Sequence, residues 1–190
     1  RFVSRIHSEA SRLVTLVDDI IGLSQLDENA EFPKEEVDLL ALAEEEVGAL
    51  AATAKDKDIK ISVGGEEITV TGVRRLLHEI VYNLCDNALR YTEAGGKVGV
   101  TVGKEENEAV ITVSDTGIGI PPEDLDRVFE RFYRTDKSRS KETGGAGLGL
   151  SIVKHAVSYL GGRISLDSAQ GIGTTFKVYL PKDPEDHSDD

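Results

Sequence analysis

Ala109-Val110-Ile111-Thr112-Val113-Ser114-Asp115-Thr116-Gly117-Ile118-Gly119-Ile120 runs from an alternating apolar segment straight into a carboxylate and two glycines. Ala109, Ile111 and Val113 recur with period two, the mark of a strand with one buried face. Asp115 keeps their parity, so it points to the apolar side, where a carboxylate is costly unless a donor satisfies it. An adenine amino group is such a donor, and Gly117 and Gly119 remove side chains where a planar base would lie. The alternative is a carboxylate that only caps a turn.

Working outward, the same alternation returns at Ile59, Ile61 and Val63, at Ile68 and Val70, and at Val98, Val100 and Val102. It returns again at Ile164 and Leu166 and at Phe176, Val178 and Leu180. Helical patterns interrupt these strands over 37–54, with Leu39, Leu40, Ala43, Val47 and Leu50 on one side, and over 72–92 and 147–160. Helices on one face of a mixed or mostly antiparallel sheet make an α+β, two-layer α/β sandwich.

The 72–92 helix places Val73, Leu77, Ile80, Leu84 and Ala88 on its apolar stripe and Glu79, Asn83, Asn87, Arg90 and Tyr91 beside it. Asn83 and Asn87 are i, i+4 and share a face. Asn is a mediocre helix former, so propensity does not explain the pair. A neutral amide oxygen can ligate Mg²⁺ without repelling phosphates, and an amide N–H can donate to them; two solvated surface amides are the plainer reading. Gly144-Gly145-Ala146-Gly147-Leu148-Gly149-Leu150 then opens the 147–160 helix. Such a loop lets backbone approach a ligand closely and aims free N–H groups at an anion. Between these elements, residues 121–146 show little core pattern but carry Phe129-Glu130-Arg131-Phe132-Tyr133-Arg134 and the cations Lys137, Arg139 and Lys141. They read as a lid, with aromatics pinning its start, cations facing phosphates and the glycine loop as hinge; a solvated basic loop is the alternative.

The first 27 residues carry a heptad seam at Val3, Ile6, Ala10, Leu13, Val17, Ile20 and Ser24, the pattern of one helix of a bundle. Residues 28–36 read as a linker, 37–182 as the main domain and 183–190 as a disordered acidic tail. The net charge of −13 argues against nucleic acid as a partner. The longest apolar runs fall short of the roughly 18 residues that a membrane span requires, and Cys85 is the single cysteine. The 190-residue chain contains no Met, which fits a fragment of a longer protein.

Four boxes in order resemble those of the catalytic domain of sensor histidine kinases, the Bergerat ATP-binding fold. Asn83 to Tyr91 resembles the N box, and Asp115 to Ile120 the first glycine box. Phe129 to Phe132 resembles the F box, and Gly145 to Leu150 the second glycine box. Gly171-Ile172-Gly173-Thr174-Thr175-Phe176 resembles a further glycine-threonine element. Residues 1–27 are similar to the second helix of the dimerisation and phosphoacceptor bundle, and the subgroup resembles phosphate-regulon and cell-wall-type membrane sensors.

The resemblance implies ATP and Mg²⁺ as cofactors. It gives Asn83 to Mg²⁺, Asn87 to metal or phosphates, and Arg90 to a phosphate. Tyr91 would pack on the base, Asp115 would accept from it between Gly117 and Gly119, and Thr174 would close its pocket. Backbone N–H groups of Gly145, Gly147, Leu148 and Gly149 would hold phosphates, and Arg134 the γ-phosphate. It also implies a homodimer, a response regulator as partner and a cytoplasmic location in a membrane-anchored bacterial sensor. One departure matters: none of His7, His78, His155 and His187 has the surroundings of the family's acceptor histidine. The chain is therefore expected to bind Mg·ATP without autophosphorylating alone. The rivals are an anti-sigma-type serine kinase or an ATPase of the same fold, and a nucleotide-binding module without kinase activity.

Overall fold

The computed structural model describes residues 31–133 and 147–181, together with Val17. The seam of the first 27 residues (Val17 apart), Arg134, Gly145, the cations Lys137, Arg139 and Lys141, and the acidic tail lie outside them. In chain order the elements are β1 (Glu35–Asp38), α1 (Leu39–Asp56), β2 (Lys60–Gly65), β3 (Thr69–Gly72), α2 (Arg74–Tyr91), β4 (Lys97–Glu105) and β5 (Glu108–Asp115). A 3-10 turn (Pro122–Asp124), α3 (Gly149–Tyr159), β6 (Arg163–Ala169) and β7 (Gly173–Pro181) complete those of the described residues.

Five strands form one sheet in the order β2-β4-β5-β7-β6. Only β2 and β4 run parallel; every other pairing in it is antiparallel. The expected mixed sheet with helices on one face is therefore what the chain builds, and the rows of the sheet explain its core. Ala109, Ile111 and Val113 of β5 are buried together with Phe176, Val178 and Leu180 of β7 and Val98, Val100 and Val102 of β4. On the edge strands the alternation is weaker: Ile61, Val63, Ile164 and Leu166 are half-buried, since an edge strand has a neighbour on one side only.

Two sequence expectations need correction at the start of the domain. Residues 35–38, read as linker and helix, form strand β1, antiparallel to β3. Val37, almost fully buried, is the only apolar residue there, too little for a period, and the partner strand that fixes it lies some thirty residues on. The helix begins instead after Asp38, whose Oδ1 accepts from Leu40 N (2.9 Å) and Ala41 N (3.1 Å) as an N-cap. Its buried face is Leu39, Leu42, Ala43, Glu46, Val47, Leu50 and Ala54, not Leu40. The compact unit also starts earlier than residue 37, at Phe32. The Phe32 ring packs edge-on against Tyr159 of α3 at 5.4 Å, and its N–H donates to the Tyr159 hydroxyl.

Helices α2 and α3 lie side by side over the sheet. Leu76, Leu77, Ile80, Val81, Leu84, Cys85, Ala88 and Leu89 of α2 are buried, a wider stripe than the periodicity alone suggests. His78 leaves that stripe to bond the buried carboxylate of Glu46 on α1 at 2.7 Å. Burial raises the Glu46 carboxyl above its usual range and His78 opposes the shift. That contact is the structural place of a histidine whose sequence neighbours had excluded it as an acceptor.

Candidate nucleotide site

The site residues fall into two groups, one at the C-terminus of α2 and one around its middle. At the end of β5, Asp115 lies opposite Thr174 of β7. Its Oδ1 accepts from Gly117 N at 2.8 Å. Burial pushes its carboxyl above the usual carboxylate range, while the N–H groups of Gly117 and Thr174 act against that. Thr174 is buried. The backbone after Asp115 turns under the last turn of α2, where Ile118 N donates to the Tyr91 carbonyl at 3.1 Å. Tyr91, half-buried, thus has its carbonyl at the turn that follows Asp115.

The two glycines of this turn are needed for a reason other than the one the sequence suggested. A Cβ at Gly117 would lie 2.4 Å from the Tyr91 carbonyl oxygen and 2.8 Å from Asp115 Oδ1. At Gly119, where φ is +68°, it would lie 2.1 Å from the Ala169 carbonyl oxygen. The space of each missing side chain is filled by the chain's own atoms, before any base is considered. Sequence reasoning also passed over Ser168, whose hydroxyl accepts from Ile120 N at 2.9 Å and touches Thr174 Oγ1 at 2.9 Å. Its signal was available: Ser168 shares the parity of Ile164 and Leu166, as Asp115 shares that of Val113.

At the middle of α2, Asn83 donates through Nδ2 to the Glu79 carbonyl at 2.7 Å. That bond fixes which way the amide is turned and presents Oδ1 to the start of α3. A Cβ at Gly149 would lie 3.0 Å from this oxygen. Leu148 holds the cap position of α3, and its buried side chain makes no cap hydrogen bond. The first-turn N–H groups of α3 therefore lack the side-chain acceptor that a Ser or Asp cap would supply. Asn87 is half-buried one turn after Asn83, and Arg90 Nη2 pairs with Asp86 at 2.7 Å.

The stems of the expected lid are tied together. Phe132 N donates to the Gly147 carbonyl at 2.9 Å, with φ +64° at Phe132 and +76° at Gly147. Val128 is buried, and Phe129 meets Phe176 edge-on at 6.2 Å. Tyr133 donates to Asp124 beneath the guanidinium of Arg127. Residues 121–133 are therefore anchored to the core, and the F-box ring at Phe132 is an exception at 60% exposed.

A half-buried acceptor at a strand end and an uncapped helix N-terminus near an amide oxygen are the two halves of a nucleoside polyphosphate site. Residues 72–184 match the family of histidine kinase-, DNA gyrase B- and HSP90-like ATPases. The chain belongs to this family. Its relatives include the sensor-like histidine kinase SenX3 of Mycolicibacterium smegmatis, 38% identical over all of this chain and 50% of that protein. The sensor histidine kinase WalK of Bacillus subtilis is 34% identical over all of this chain and 32% of that protein. Among solved structures, full-length ShkA in complex with AMPPNP superposes with a TM-score of 0.84 at 28% identity, over 95% of this chain and 38% of that one. The mycobacterial sensor histidine kinase MprB gives 0.68 at 33%, over 80% and 99%. The histidine kinase-like ATPase domain here is thus the ATP-binding catalytic domain of a two-component sensor histidine kinase. The chain spans half the length of its SenX3 relative. No described helix is long and apolar enough to cross a membrane.

Proposed function

We propose that this chain binds Mg·ATP between α2 and α3, with the base at Asp115 and the phosphates at the start of α3. The protein that contains it transfers the γ-phosphoryl group to a histidine on its own phosphoacceptor helix, for relay to an aspartate of a response regulator. The observation that carries this reading is the turn of the Asn83 amide: Nδ2 is spent on Glu79 and Oδ1 is left at the N-terminus of α3. An amide oxygen is a hard, neutral ligand of the kind Mg²⁺ accepts, and Mg²⁺ takes few protein ligands when phosphates supply the rest. Among the described residues no group of three or more His, Cys, Asp or Glu side chains is placed to hold a metal. When bound, Mg²⁺ would neutralise phosphate charge at Asn83, where the positioning by α2 and α3 does most of the catalytic work.

The remaining proposed roles are those the family resemblance implies. Gly147, Leu148 and Gly149 offer backbone N–H groups to phosphates, joined by Gly145 beyond the described residues. Asn87 stands one turn from Asn83, within reach of the same phosphates. Arg90 reaches a phosphate on exchanging its Asp86 partner, and Arg134 reaches the γ-phosphate. Tyr91 packs on the base. The full-length protein is a membrane-anchored homodimer that places the catalytic domain in the cytoplasm.

Asn83→Ala tests the carrying observation. Calorimetry with AMPPNP should show the Mg²⁺-dependent part of the affinity lost and the Mg²⁺-free affinity kept. Equal Mg²⁺ dependence in variant and parent would remove Asn83 from the metal. A second reading, hydrolysis of ATP, is favoured by one feature: Glu79 places a carboxylate one turn before Asn83, paired with Arg75 at 3.5 Å. Labelled ATP offered with a separate acceptor helix separates the two. Label on the helix histidine supports the kinase, and free phosphate without it supports hydrolysis. Binding with neither supports a nucleotide-binding module.

A further inference from the structure

The helix-facing side of the sheet changes character between two adjacent rows. Val113, Phe176 and Leu166 stand opposite one another across β5, β7 and β6. The next row is Asp115, Thr174 and Ser168, again directly opposed. Opposed residues share a face, so an apolar row is followed by an all-polar one at the rim of the core. Polar groups in such a place must be hydrogen-bonded to be tolerated.

The bonds of Ser168 determine how. Its hydroxyl lies 2.9 Å from Ile120 N, 3.0 Å from the Gly173 carbonyl oxygen and 2.9 Å from Thr174 Oγ1. A backbone N–H can only donate and a carbonyl oxygen can only accept. A serine hydroxyl has one proton and two lone pairs. Its proton therefore goes to Gly173, one lone pair takes the Ile120 N–H, and Thr174 must donate to the other. With that proton committed, Thr174 can offer a bound molecule only an acceptor. Its neighbour Asp115 is an acceptor too, with Oδ1 already held by Gly117.

We propose that Ser168 is a positioning residue for base specificity: it fixes the proton of Thr174, so that the base end of the pocket presents two adjacent acceptors. Such a pair favours a purine with an exocyclic amino group at this edge and disfavours one with a carbonyl oxygen there, adenine over guanine. Ser168 need not touch the base, because its effect passes through Thr174. The same hydroxyl ties β6 to the first glycine box through Ile120, so the polarity and the position of the rim are set together. The proposal rests on the assignment of Asp115 as the base contact.

The test compares AMPPNP and its guanine counterpart GMPPNP by calorimetry on the whole chain. Ser168→Ala should weaken AMPPNP about tenfold, the loss expected for one hydrogen bond, while GMPPNP is unchanged or improves. The adenine-to-guanine ratio then falls about tenfold, and Ser168→Thr, which keeps the hydroxyl, restores it. Thr174→Val, which removes the oriented hydroxyl, should lower the ratio in the same way and serves if Ser168→Ala fails to fold. An unchanged ratio, an equal loss for both nucleotides, or no rescue by threonine would overturn the proposal. Asp115→Asn keeps the two readings apart. If it leaves AMPPNP affinity intact, the base assignment itself is wrong. If it weakens AMPPNP while the Ser168 variants keep the parent ratio, only the role of Ser168 is lost.

Discussion

The C-terminus and the middle of α2 solve opposite problems. At the Tyr91 end, the site is closed by its own hydrogen bonds: Asp115 to Gly117, Ile118 to Tyr91, Ser168 to Ile120. At the middle, α3 starts without a side-chain cap and Asn83 shows it an oxygen. The first end is prepaid in folding, so it should be rigid and selective. The second leaves donors to be satisfied by whatever binds, so it should respond to ligand and metal. The difference teaches that a nucleotide site need not be uniform: the base is read by a finished surface and the phosphates complete an unfinished one.

The largest expected effect strikes the finished end. Gly119→Ala forces a side chain onto φ +68° with its Cβ 2.1 Å from the Ala169 carbonyl oxygen. It should cost about 3 kcal/mol of stability, at the top of the overpacking range, read as a lowered midpoint in urea. A stability within experimental error of the parent would show that this loop can open.

Next comes Asp115→Asn, which replaces one oxygen of a half-buried carboxylate with an amide donor and should weaken AMPPNP by about 1–3 kcal/mol in calorimetry. The same variant sharpens the electrostatics. The folded Asp115 carboxyl lies above its usual value because of burial, so the folded state holds its proton to higher pH than the unfolded chain does. Stability from this group is therefore lost as pH rises from the ordinary carboxylate value, about 4, through the folded one. Thermal melts across that window should show the parent losing stability relative to Asp115→Asn as pH increases. The opposite slope would mean that hydrogen bonding outweighs burial at Asp115.

Smaller effects come from other side chains of α2. Arg90→Ala breaks a partly exposed pair with Asp86 and should change stability by about 0.5–1 kcal/mol at most, while lowering affinity for AMPPNP more than for adenosine. An equal loss for both ligands would move Arg90 away from the phosphates. The smallest signal is a null one. Burial, with Glu46 and Asp86 nearby, pushes the Cys85 thiol up to about 12, so a thiol reagent at neutral pH should label it only on unfolding. Rapid labelling of the folded chain would show that α2 separates from the core.

Much of this was legible along the chain because it is local. Alternation at Ala109, Ile111 and Val113 marks a strand, and Asp115 betrays itself by keeping that parity. Asn83 and Asn87 share a helix face by spacing alone. What escaped depends on distant partners. Strand β1 has one buried apolar residue, Val37, and exists because β3 pairs with it. Glu46 reads as one of three surface acids until α1 turns it inward against His78. Ser168 reads as an edge-strand serine until β7 brings Thr174 beside it.

The sequence by itself determined the kind of protein: the order of strands and helices, the carboxylate on an apolar face, the amide pair and the glycine-rich helix start. These follow from period, parity and residue chemistry within a few positions of one another. Only the tertiary structure decided why Gly117 and Gly119 are glycines, what the Asn83 amide oxygen faces and where the proton of Thr174 goes. Each depends on an atom from a remote segment at hydrogen-bond or contact distance: Ala169 for Gly119, Gly149 for Asn83, Ser168 and Ile120 for Thr174. Hydrogen-bond direction is fixed by the whole set of partners around an atom, and that set is assembled only when the chain folds.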